Sequence, residues 1–123
     1  MNKLLFLLLL IPTTAFSQSF IKLKELDAKK SKGITIVEFW ASFNQSNEVA
    51  FMKDLDDCRA YRLDISTNPA ASSQYSVMSV PTVVVFDNGA EALRYTPNIL
   101  MQLVATQREV QSDIDNIILK KFQ

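Results

Sequence analysis

The sequence contains no histidine, one cysteine (Cys58) and two glycines (Gly33 and Gly89). Without histidine, the commonest general base, nucleophile activator and metal ligand are missing together. A single cysteine permits neither an internal disulfide nor a CxxC pair. Two isolated glycines cannot build a phosphate-cradling loop or a dinucleotide fingerprint. Basic and acidic side chains number 13 each, so no strong field draws in nucleic acid or an anionic surface. No apolar run reaches the roughly 20 residues that a bilayer-crossing helix needs. These absences lead us to expect no cofactor, no metal site and no nucleic-acid partner.

What is present is a chain of 123 residues that is 48% hydrophobic, enough for one modest core. Residues 1–17 are set apart from it. Lys3 supplies a positive start, Leu4 to Ile11 an apolar block, and Ala15-Phe16-Ser17 the small residues that a signal peptidase favours. We expect residues 1–17 to be a signal peptide cleaved before Gln18, with residues 18–123 forming the domain. The expected location is periplasmic or extracellular, with no membrane anchor after cleavage. Removing Lys3 from the 13 basic residues leaves 12 against 13 acidic ones, a net charge near −1.

Along the domain, Ser19 to Ile21 reads as extended and Phe20, Leu23 and Leu26 as a helical spacing up to about Lys30, closed by Gly33. Ile34 to Trp40 is apolar on both faces except for Glu38, as in a central strand. Asn44-Gln45-Ser46-Asn47 is rich in N-cap residues, and Val49, Met52 and Leu55 then suggest a helix of about three turns from Glu48. Arg59 to Ile65 reads as a strand, Pro69 as the start of a short helix, and Val83 to Phe86 as a strand. Asp87-Asn88-Gly89 is a hairpin signal returning through Ala92 to Tyr95. Thr96-Pro97 looks like the start of a helix, and Thr106 with Glu109 forms a capping box. Residues 97–121 therefore suggest either one bent helix or, preferably, two.

Three motifs in this order carry a resemblance. V-E-F-W-A-S-F-N-Q-S-N (residues 37–47) resembles the active-site strand and helix start of thioredoxin, V-D-F-W-A-x-W-C-G-P-C. S-V-P-T-V-V-V-F-D-N-G (79–89) resembles its cis-proline strand and hairpin, and D-I-x-x-N-P (64–69) is similar to the segment between. The resemblance implies an α/β thioredoxin-like fold. A central mixed sheet would be covered by helices, with a C-terminal helix extended beyond the family's. It also implies that Pro81 is cis.

The family's two cysteines fall on Asn44 and Asn47. An amide cannot attack a disulfide, but it can cap helix N–H groups. Asn44-Gln45-Ser46 is also a glycosylation triplet. Glu38 matches the family's buried carboxylate, and Arg62 falls where the family has a lysine facing it. They either form a buried pair or both reach solvent. Trp40, Phe43, Val80 and Pro81 match the lip where the family receives an extended peptide, a mode that needs no thiol; Trp40 and Phe43 could equally just pack. Cys58 lies away from the family's cysteine positions and suits a buried apolar role. The expected function is a redox-inactive module that binds an unidentified peptide or protein through the cis-proline loop. Two alternatives are an oxidoreductase or redox sensor acting through Cys58, and a structural subunit docking through its C-terminal helix.

Overall fold

A computed structural model describes residues 19–123; the expected leader and its cleavage point lie outside the described residues. The chain runs α1 (Leu23–Lys30), β1 (Ile34–Trp40), two 3-10 segments (Ser42–Asn47 and Met52–Asp54) and β2 (Arg59–Asp64). It continues through α2 (Ala70–Gln74), β3 (Thr82–Asp87), β4 (Ala90–Tyr95) and α3 (Gln107–Lys120). The strands form one mixed sheet in the order β2-β1-β3-β4, with β1 parallel to β2 and antiparallel to β3. Six of the seven β1 residues are buried, which is what a strand covered on both faces requires.

Because side chains alternate along a strand, each strand feeds two cores. Val37, Phe39, Val84 and Phe86 pack with Leu26 of α1 and Ala71 of α2. Ile34, Ile36, Val83 and Val85 pack with Val110 and Ile114 of α3, and with Val49, Met52 and Leu55. Asn88 and Gly89 both have positive φ (49° and 93°), the geometry of the tight hairpin between β3 and β4. Upstream, Ile21 N–H donates to Arg62 C=O and Arg62 N–H to Ser19 C=O, each at 2.9 Å, adding a short extended stretch beside β2.

Two expected helices are absent. Val49, Met52 and Leu55 are all buried, yet the backbone between Glu48 and Leu55 is not α-helical. Glu48 is extended (φ −61°, ψ 149°). A spacing of i, i+3, i+6 is the period of a 3-10 helix, and here it marks burial without an α-helix. The physical cause is the ion pair described below, which takes both backbone groups of Val49.

Residues 97–105 are not helical either. Asn98 Oδ1 accepts from the N–H groups of Leu100 and Gln102, and Asn98 N–H donates to Gln102 C=O. A side chain that captures nearby backbone in this way competes with a helix. Pro97 instead bridges Leu103 in an antiparallel sense. α3 begins where the capping box falls, with Thr106 Oγ1 accepting from Glu109 N–H at 3.2 Å. The C-terminal region is therefore a turn followed by one helix of 14 residues.

Candidate functional site

The C-terminal end of β1, the N-terminal end of β3 and the C-terminal end of β4 lie at one edge of the molecule, because β3 runs antiparallel to both its neighbours. Three connections meet there, and Asn44 joins them. Its Nδ2 donates to Val80 C=O at 3.0 Å and to Met101 C=O at 2.9 Å. Its Oδ1 accepts from Asn47 Nδ2 at 2.9 Å. The expectation that Asn44 or Asn47 caps a helix is corrected: neither side chain accepts from the backbone of its own segment, and no α-helix begins there. The amide ties loops together instead.

Val80-Pro81 is cis. Of the four expected lip residues, only Phe43 projects into solvent, at 73% exposure. Val80 and Pro81 are buried. Trp40 is half-buried, its ring edge-on to Phe20 at 5.1 Å between centroids, and its indole N–H is buried without a partner. The expected four-residue lip is thus reduced to Phe43. The residues that replace the rest were not singled out from sequence. Met78, Ile99 and Leu100 are exposed large apolar side chains close in sequence to the Asn44 contacts. Ile99 and Leu100 lie in the stretch 97–105, where the helix expected from Thr96-Pro97 does not form.

Beneath this edge, the structure brings Glu38 and Arg62 together. They stand opposite each other in the parallel register of β1 and β2. Arg62 Nε and Nη2 donate to Glu38 Oε1 at 3.0 and 2.9 Å, and both side chains are buried. Glu38 Oε2 accepts from Val49 N–H at 3.0 Å, and Arg62 Nη2 reaches Val49 C=O at 3.2 Å. Glu48 completes the group, 2.9 Å from Arg62 Nη1. Burial pushes the Glu38 carboxyl above its ordinary range; the Val49 N–H and the Arg62 charge pull it back only in part.

Cys58 is half-buried and unpaired, packed beside the α3-side core. Burial, then the charges of Asp57 and Asp56, push its thiol up to about 11. A thiol held in that state is a poor nucleophile near neutral pH. Among the described residues, no three His, Cys, Asp or Glu side chains converge on a metal-sized site, and no helix is long and apolar enough to cross a membrane.

An α/β domain with a cis-proline loop facing the end of its central strand is a thioredoxin-like fold. No family model matches the chain. Thioredoxins of Staphylococcus aureus, including those of strains Mu50 and USA300, are 30% identical over 73 residues, spanning 53% of this chain and 69% of theirs. A mutant thioredoxin from Halobacterium salinarum NRC-1 superposes with a TM-score of 0.65 at 21% identity, covering 81% of this chain and 89% of its own. A designed protein gives 0.62 at 25% identity, with 83% and 93% covered. The chain belongs to the thioredoxin family.

Two predictions follow from the buried charges and the thiol. Replacing Arg62 by Met leaves Glu38 buried without its cation, which costs about 3–5 kcal/mol near pH 7 and raises the Glu38 pKa further. A carboxyl whose folded pKa exceeds its unfolded value stabilises the fold at low pH and loses that contribution as pH rises through the folded pKa. The melting temperature of Arg62→Met should therefore recover as pH falls from 8 to 5. A melting temperature equal to the parent's at pH 8 would contradict the pairing. For Cys58, alkylation by iodoacetamide at pH 7.5 should be far slower than for a free cysteine, with a rate still climbing at pH 10; a plateau below pH 9 would contradict the shift.

Proposed function

We propose that this is an exported thioredoxin-fold protein without redox chemistry, which acts by binding another protein through the cis-proline edge. The observation that carries this reading is Asn44. At the position where the family has its nucleophile, an amide donates to Val80 C=O and to Met101 C=O. The polar atoms at the mouth are thus used internally, and exposed Phe43 stands next to them. Export rests on the charge, apolar block and small-residue order of residues 1–17.

The geometry favours a protein over an extended peptide. Pairing a peptide strand beside the cis-proline uses backbone donors and acceptors, and Asn44 already competes for the Val80 carbonyl by taking one of its two lone pairs. The Cys58 reading is opposed by its raised pKa. The reading in which α3 docks on a partner is opposed by the burial of Val110 and Ile114 in the chain's own core.

Two experiments test the proposal. Insulin-disulfide reduction should not exceed the blank; turnover that vanishes in Cys58→Ser would overturn it. A photo-crosslinking residue at position 43 should yield a discrete adduct in the export compartment, and no adduct would count equally against it.

The same geometry says what restoring the dithiol would do. In Asn44→Cys/Asn47→Cys, the thiols would sit on a 3-10 segment followed by extended Glu48, with no α-helix to lower their pKa. The expected pKa is near the ordinary ~8.5, which leaves a roughly 16-fold smaller thiolate fraction at pH 7 than a thiol of pKa 7; the greater nucleophilicity of the more basic thiolate offsets most of this, and disulfide reduction should be about threefold slower. Alkylation against pH measures it; a pKa near 7 would refute the argument.

A further inference from the structure

Sulfur is confined to one cysteine and four methionines, and the fold treats them unequally. Met1 lies in the expected leader. Met52 is buried in the α3-side core, at 1% exposure. Met101 is half-buried, with its carbonyl held by Asn44. Met78 stands in solvent at 94% exposure. An ordinary accessible cysteine would be oxidised before any of these, because its thiolate is the attacking form. Cys58 is half-buried, and burial with the charges of Asp57 and Asp56 pushes its thiol up to about 11, so little thiolate exists near neutral pH. A thioether has no proton to lose, and access to its sulfur decides whether it reacts.

The backbone on either side of Met78 is pinned. Val77 N–H donates to Ser72 C=O at 2.8 Å, and Arg94 donates to the carbonyls of Tyr75 and Ser76 at 2.6 and 3.0 Å. Further on, Thr82 Oγ1 donates to Ser79 C=O at 2.6 Å, and Asn44 Nδ2 to Val80 C=O at 3.0 Å. Val77 and Val80 are buried. None of these anchors uses the Met78 side chain. The loop that leads into cis-Pro81 therefore holds one thioether outside the core, where a change in its polarity disturbs no bond that shapes the loop.

We infer that Met78 is a reversible oxidation site, which takes one oxygen from hydrogen peroxide or another hydroperoxide ahead of every other sulfur in the mature chain. The sulfur lone pair attacks one peroxide oxygen, and an S–O bond forms as the O–O bond breaks. The thioether is oxidised by two electrons to the sulfoxide. The proton of the transferred oxygen passes to the other oxygen, which leaves as water or an alcohol. The product is a polar, chiral group where an apolar one stood. The cis-proline loop thereby gains a redox-dependent surface through a sulfur that needs no thiolate. The inference goes beyond the proposed binding role and does not rest on it.

Hydrogen peroxide added to the folded protein at pH 7, followed by peptide mass mapping, tests this. Met78 should gain one oxygen at least about tenfold faster than Met52, which reacts only when the core opens. Met101 and Cys58 should also lag behind it. The protein oxidised at Met78 should melt at the parent's temperature. Methionine sulfoxide reductases, one for each sulfoxide epimer, should return it to its starting mass while it remains folded. Met78→Leu, which keeps an apolar side chain of similar size, should lose this first oxygen uptake and retain the parent's melting temperature. Oxygen appearing first on Cys58, Met52 or Met101 would overturn the inference. So would a melting temperature lowered by the Met78 sulfoxide, or a sulfoxide that the reductases leave in place.

Discussion

Glu38 and Arg62 meet inside the sheet, and most of the molecule's departures from its family trace to how they are satisfied. A buried ion pair recovers the cost of removing both charges from water only if its remaining donors and acceptors are also bonded. Here they are bonded largely to one residue. Glu38 Oε2 takes the Val49 N–H and Arg62 Nη2 reaches the Val49 C=O, so the two backbone groups that would continue a helix are spent on side chains. Arg62 also links outward to Glu48, and its own backbone bonds Ser19 and Ile21. One pair thereby positions β1, β2, the start of the domain and the segment after the site.

The consequence at the mouth is electrostatic. A cysteine in this family position depends on a helix N-terminus to hold it as a thiolate. With Val49 held by the ion pair, Ser42–Asn47 is a short 3-10 segment that runs into extended chain. An amide suits such a place better than a thiol. It carries two donors and an acceptor, and Asn44 uses all three, toward Val80, Met101 and Asn47. The same amide anchors the turn that bears Ile99 and Leu100, so the missing thiol and the added protrusion are coupled through one side chain.

How much of this could be read from sequence depended on whether the signal was local. The strands, the Asp87-Asn88-Gly89 hairpin and the Thr106 capping box were legible because alternation, turn chemistry and capping act within a few residues. Glu38 and Arg62 could be proposed as partners only through the family resemblance, since 24 positions separate them. The two missing helices failed for a shared reason. Val49, Met52 and Leu55 gave a true burial signal, but the backbone was claimed by side chains, one pair distant in sequence and the other, at Asn98, close by. The Asn98 case was readable in principle: an asparagine just after Pro97, followed by exposed apolar residues, is turn chemistry as much as helix start. Asn44's reach to Met101 spans 57 positions and left no trace in the pattern.

A thioredoxin site combines a reactive sulfur, a helix field that ionises it, and a backbone edge that receives the client. Losing the sulfur alone would leave the field and the edge, and with them a groove that still fits a peptide strand. In this chain the helix field is gone as well, and one of the two lone pairs of the Val80 carbonyl is taken from within. The three changes act on separate atoms and agree in direction, away from covalent exchange and from backbone pairing. What that edge exposes instead is apolar side chain, Phe43 beside Asn44 and Ile99 and Leu100 on a braced turn. Apolar surface in general discriminates by shape, because it exerts little steering at a distance and rejects a poor fit through unfilled space and stranded polar groups.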